Sequence, residues 1–232
     1  MPLVNPRVFA LAVPVALLAE PALAHHMMGG ALPQTVAQGL LSGLGHPIIG
    51  VDHLVAIIGV GIIAATISRG FTPTIARGFA PAISGFASAI LGFAPALAFS
   101  AAMIGGVALH LARAYLPAAE LLVGLSTVAV GLSIVASSTL GVVSAGGLFA
   151  MAGLVHGYAL GESIVGAEPT PLGAYLVGLL VVQSLLAGGA FALTRAVTGK
   201  ETALRRVAIV ASGALIAVVG GSAIASAPGV IG

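Results

Sequence analysis

The chain has 232 residues, 59% of them hydrophobic and only 6% charged, with a formal charge of +2 and a mean hydropathy of +1.19. Soluble domains carry about a quarter charged residues, so this composition belongs in a bilayer. The small charge, with no basic run interleaved with aromatics, argues against a nucleic-acid partner. The absence of cysteine excludes disulfides, thiolate metal sites and cysteine nucleophiles.

Glycine (33 residues) and alanine are abundant, whereas aromatics make up 5%. Small residues let helices approach closely in lipid, where packing holds them together. The expected class is therefore an all-α membrane protein: a polytopic bundle of about six transmembrane helices. Residues 25–232 would form a single transmembrane domain after a signal peptide at 1–24. The lone lysine, Lys200 in TGKE, lacks the glycine that a Walker A loop needs five residues before Gly199. Nothing in the chain points to ATP hydrolysis.

In chain order, Arg7, the apolar run FALAVPVALLA and Ala22-Leu23-Ala24 read as a secretory signal with its cleavage site, the alternative being an uncleaved first helix. Cleavage would expose His25-His26-Met27-Met28, whose free amine and two imidazoles can chelate a divalent metal; the alternative is a terminus with no ligand role. Residues 33–44 are too short to span and are expected to lie at the surface or dip in. The first span is expected from Pro47 to Ile67. Residues 70–99 carry a short tandem repeat, GFTPTIAR, GFAPAIS, GFASAIL and GFAPALAF, which reads as local duplication and not as a solenoid.

Residues 78–112 form either one long span or a hairpin broken at Pro95. One crossing puts Arg69, Arg77, Arg195, Lys200, Arg205 and Arg206 on a single side, with Arg113 alone opposite. A second crossing would invert the later helices against the positive-inside rule. Further spans follow at 118–136, 142–161, 172–194 and 204–226. Both mature termini would then lie outside a bacterial cytoplasmic membrane, the N-terminus in the periplasm.

The polar chemistry centres on HPIIGVDHLVAIIGVG at 46–61. A proline suits the first position of a helix, which would put His46 at the entrance and Asp52 and His53 one to two turns inside. On a continuous helix His46 and His53 lie roughly 10 Å apart along the axis. That is too far to share an ion without a bend near Gly50 or ligands from other helices. Asp52 is an ionisable group in an apolar span, where such residues usually face a cavity or ion path; the alternative is a polar residue capping or snorkelling at the interface. The crossing pattern brings His110, Glu120, His156, Glu162 and Glu168 to the same side.

Imidazole with carboxylate suits borderline divalent ions such as nickel, cobalt, zinc or copper. His110 is expected to bond a carbonyl rather than a metal. Tyr158 and Tyr175 are expected to be interfacial anchors. Gln183 and Ser184 sit at mid-membrane, where a helix–helix hydrogen bond is the default role and lining a path the alternative.

These residues resemble the HupE/UreJ nickel/cobalt permeases. The likeness begins with a signal followed by His25 and continues through HPIIGVDHLVAIIGVG. It then runs through PALAFSAAMIGG at 95–106, LPAAELLVGLS at 116–126, and HGYALGESIVGAEPTP with Tyr175 and Gly178. The resemblance implies metal-handling roles for His46, Asp52, His53, Glu120, His156 and Glu162. The chain departs from the family where Leu160 replaces a second histidine, where the following glutamate is displaced by one, and where a histidine common near 185–188 is absent. The 70–94 repeat is extra.

The resemblance implies a permease, not an enzyme, that imports nickel or cobalt as cargo and needs no resident cofactor. Its partners would be the ion, the bilayer, and an oligomeric or metalloenzyme-maturation partner. The alternative is a non-transporting metal-binding accessory protein for hydrogenase, urease or cobalamin assembly. A third reading, an intramembrane metalloenzyme, lacks the HExxH helix pair.

Overall fold

The structure, a computed structural model, describes residues 31–67, 81–136, 140–197 and 203–227. Among these residues it is all-α, with seven helices and no strand: α1 (Val36–Ile49), α2 (Val51–Ile67), α3 (Pro81–Leu111), α4 (Ala119–Val135), α5 (Val142–Gly161), α6 (Pro169–Val197) and α7 (Ala203–Ser226). The all-α membrane bundle expected from composition is what the chain forms. The signal segment, with His25 and His26, lies outside the described residues, as does the start of the glycine–phenylalanine repeat.

Helices α3, α6 and α7 and the segment Val143–Ile164 are long and apolar enough to cross a membrane. The pair α1–α2 passes the same test as one unit bent by 81°, and α4 is a shorter apolar helix of 17 residues. Of the two forms open to residues 78–112, the structure takes the unbroken one: α3 runs through Pro95 without interruption.

The first span differs from expectation. Residues 36–49 form a helix of their own, and its N-terminus has a sequence cause. The Thr35 hydroxyl accepts from the Gln38 N–H at 3.2 Å, and the Gln38 side chain accepts from the Thr35 N–H at 3.2 Å, a reciprocal capping box. Pro47 is not the first residue of a helix; it lies in the last turn of α1. Its missing N–H removes a bond to residue 43 and its ring crowds that carbonyl, weakening the turn that ends at Gly50.

Glycine seams set the helix directions. Gly39 packs on the Pro171 backbone and Gly43 on Tyr175, while Gly61 of α2 packs on Ala187. Contacts that advance along α6 make α1 parallel to it, and α2, bent by 81° from α1, carries the chain on toward the later residues of α6. Gly153, Gly157 and Gly161 meet Phe99, Met103 and Val107, so α3 and α5 are parallel. Gly124 meets Gly220 and Gly131 meets Gly213, so α4 and α7 are antiparallel. Among the described residues four helices have spanning length, or five spans if the bent α1–α2 pair is one, against the six expected. At each seam a side chain would strike backbone, the close approach that small residues permit in lipid.

Around these seams Ile57, Ile63, Phe99, Met103, Phe149 and Leu179 form the apolar centre. The α1–α2 break, the end of α5 and the start of α6 meet at one end of it. Arg195, Arg205 and Arg206 lie toward the other, at the end of α6 and the start of α7.

Candidate metal centre

The break at Gly50 creates the site. Its ψ of 98° is extended, so the chain leaves α1 and re-enters helix at Val51 in a new direction. The turn folds the His46 and His53 rings toward each other, with centroids 6.3 Å apart and planes at 76°. A side chain at Gly50 would sit 2.7 Å from His53 Cδ2, so the ring occupies the space that glycine leaves.

His156, one turn from the end of α5, completes the group. Its Nδ1 faces His53 Nδ1 at 2.6 Å, and the two ring centroids are 4.8 Å apart. All three rings are buried, His156 completely. Phe99 flanks His156 at 6.0 Å between centroids. Asp52, in the first turn of α2, accepts the His53 N–H through Oδ1 at 2.9 Å. Its carboxylate opposes the partial positive charge of the helix start, and it lies within electrostatic range of His156.

Hydroxyls back two of the rings. Ser126 Oγ and Thr127 Oγ1, both from α4, lie 3.1 and 3.4 Å from His156 Nε2. Ser163 Oγ and Tyr175 OH lie 3.0 and 3.4 Å from His46 Nδ1. None of these four was singled out for this role by sequence. The weak signal was a Ser-Thr pair in an apolar helix, where a hydroxyl usually satisfies itself by bonding back along its own turn. Tyr175 is a correction: it is fully buried and donates to the Leu160 carbonyl at 3.0 Å, so it is no interfacial anchor. Tyr158 donates to the Ala114 carbonyl at 2.8 Å and pins the loop after α3.

The other expected residues are placed less closely. Glu120 is half-buried in the first turn of α4, and Glu162 is exposed where α5 gives way to a 3₁₀ turn at Glu162–Ile164. His110 stacks against Tyr158 at 4.5 Å, and its buried Nδ1 has no hydrogen-bond partner, so that nitrogen does not make the expected carbonyl bond. Gln183 is fully buried in α6 with neither amide atom hydrogen-bonded, one turn before the residue that meets Gly61. It therefore lies deeper in the bundle than Tyr175. A cavity of about 480 Å³ lies farther still, between α2, α6 and α7, with a mostly apolar lining that includes Ile58, Ile62, Leu193 and Arg205.

Among the described residues no group of three or more His, Cys, Asp or Glu side chains is arranged to hold a metal ion. The geometry explains why. Metal–nitrogen bonds of about 2.1 Å in a tetrahedral site hold two ligand nitrogens roughly 3.4 Å apart. The His53–His156 nitrogens, at 2.6 Å, are hydrogen-bonded to each other instead. Opening the pair by under about 1 Å would admit an ion. At the tetrahedral angle the same bond length puts two imidazole centroids about 5.3 Å apart, shorter than the His46–His53 spacing of 6.3 Å, so these rings too would have to close up on an ion.

An apolar helical bundle with helices of spanning length is a polytopic membrane protein, and this one gathers three buried imidazoles beside a helix break. Comparison with known families identifies which one. The family described as HupE / UreJ protein matches residues 13–223, and the chain belongs to that family. Its members are nickel- and cobalt-associated membrane proteins and not a known enzyme family. No curated protein and no solved structure matches the chain significantly.

Proposed function

We propose that the protein is a permease that imports nickel or cobalt across the bacterial cytoplasmic membrane, with its histidine end facing the periplasm. The observation that carries this reading is the convergence of His46, His53 and His156 in a buried cluster beside Asp52. Buried imidazoles in an apolar bundle favour a borderline divalent cation over magnesium or calcium. The ion arrives from the end that carries Glu120 and Glu162, and exposed Glu162 offers it a first carboxylate. The nitrogens of His53 and His156 then part to take it, and Asp52 offsets its charge. Gln183 lies on the inner side of the cluster, where an amide oxygen supplies a neutral and weaker ligand. His25 and His26 would add a recruiting patch at the mature N-terminus.

A second reading is a metal-binding accessory protein that does not transport. The apolar centre beneath the histidines, built from Ile57, Ile63 and Leu179, supports it. Uptake of radiolabelled nickel and cobalt into cells expressing wild type or Asp52→Asn separates the two. Transport predicts uptake by wild type and its collapse in a well-expressed variant. Metal binding by folded wild type without uptake would leave the accessory role.

A further inference from the structure

Helices α6 and α7 follow each other in the chain, yet both pack on α2 and hardly on each other. The cleft left between them is the cavity of about 480 Å³, and α2 forms its floor through Ile58 and Ile62. Leu193 and Val197, four residues apart on α6, line one wall. The other wall is α7, where Arg205, Ala208 and Ser212 recur at helical spacing and share a face. Leu193, Val197 and Ala208 are exposed, so the cleft opens sideways, where lipid tails surround a bundle.

Polarity is graded along the cleft. Ser212, at the deep end, donates to the Ala208 carbonyl at 2.8 Å, so its hydroxyl is satisfied by its own helix. Arg205 stands at the shallow end, about 10 Å along α7 from Ser212. One leaflet holds roughly 15 Å of hydrocarbon, so a lipid tail that begins beside Arg205 runs the length of the cleft. The surroundings of this end are basic: Arg195 lies over the Phe191 ring at 5.9 Å, and Arg206 is exposed beside Arg205. The described carboxylates, Asp52, Glu120, Glu162 and Glu168, all belong to the histidine half.

We propose that this cleft binds an anionic phospholipid, with its phosphate on Arg205 and one acyl chain along the apolar walls. A guanidinium carries five N–H donors in a fixed fork, so Arg205 keeps its contacts within the protein and still grips two phosphate oxygens. Basic pockets between membrane helices on the cytoplasmic side are where anionic headgroups bind, and the orientation proposed above gives the cleft that side. The site itself depends on neither the cargo nor the direction of transport. Bound lipid supplies the packing that α6 and α7 do not make with each other. A zwitterionic lipid offers the same tail, but its ammonium offsets the phosphate charge.

The test is native mass spectrometry of the full chain in a mild detergent, with phosphatidylglycerol and phosphatidylethanolamine of identical chains added in turn. Wild type should retain one phosphatidylglycerol, about tenfold more tightly than phosphatidylethanolamine. Arg205→Gln should lower phosphatidylglycerol retention about tenfold and abolish the preference. Arg206→Gln, one position round the helix and off the lining, should leave most of it. Ala208→Phe fills the cleft while keeping the charge, and should expel both lipids. Equal retention of the two lipids by wild type would overturn the proposal, and that comparison holds even if a substitution unfolds the chain. Equal losses in Arg205→Gln and Arg206→Gln would overturn it as well, by showing a diffuse basic surface and no pocket. A lipid-free dimer that Ala208→Phe splits would assign the cleft to a second copy of the chain instead.

Discussion

Asp52 has two tasks that one substitution separates. Its Oδ1 accepts the His53 N–H, which an asparagine oxygen does equally well, whereas the negative charge beside the imidazoles is lost in Asp52→Asn. The fold should therefore survive while metal uptake falls more than about tenfold, because an uncompensated cation in an apolar bundle is costly. Gly50 tests the geometry from the other side. In Gly50→Ala the added carbon would sit 2.7 Å from the His53 ring, which is buried and held against His156, so the ring must shift. Expression measured by immunoblot should be retained, and cobalt binding to the purified protein should weaken. Protons and metal compete for the same imidazole lone pairs, and free histidine titrates near pH 6.5. Cobalt affinity should accordingly fall as the pH is lowered far enough to protonate the buried imidazoles.

At the scale of elements, the site depends on helix pairs held at glycine distance. Gly157 is next to His156 and lies against the backbone of Met103. Valine there would force α3 and α5 apart at a cost of about 1–3 kcal/mol. It should lower the thermal midpoint in detergent and, by moving His156 away from His53, weaken cobalt binding as well. Gln183 makes the contrasting case. It has no protein hydrogen bond to lose, so Gln183→Leu should cost at most about 1 kcal/mol in stability. A midpoint within a few degrees of wild type, with metal uptake reduced, is the expected result. An unfolded variant would mean that the amide holds the bundle together instead.

For the whole molecule, the directions of the seams put the start of α1, the ends of α3 and α5 and the starts of α4 and α6 at one end, with the α1–α2 break below it. The proposed orientation makes that end periplasmic. The chain has no cysteine, so a single introduced one is a unique label. Tyr115, 88% exposed in the loop after α3, becomes such a site in Tyr115→Cys. In intact spheroplasts, where only the outer face is accessible, a membrane-impermeant maleimide should label Tyr115→Cys and spare Leu204→Cys at the opposite end. The reverse pattern would invert the molecule and turn import into export.

Much of this was legible in the chain. Few charges, apolar runs of membrane length and a surplus of glycine determine an all-α bundle, because a bilayer leaves the backbone no partner but itself. HPIIGVDHL marked His46, Asp52 and His53, and the motif order pointed to the family. Charge placement chose a single crossing for residues 78–112, and α3 is one helix. These are local or one-dimensional signals.

Only the tertiary structure decided what meets at the site. Whether Pro47 opens a helix or weakens the end of one depends on whether Thr35 and Gln38 have started a helix upstream, and on α6 being there to pack it. The His53–His156 contact joins residues 103 apart in sequence. It exists because α1 turns by 81° into α2 while glycines draw the helices close enough for the rings to touch. Ser126, Thr127 and Ser163 look like ordinary small polar residues in sequence. Only the packing of other elements brings their hydroxyls to within 3.0–3.4 Å of the His156 and His46 rings.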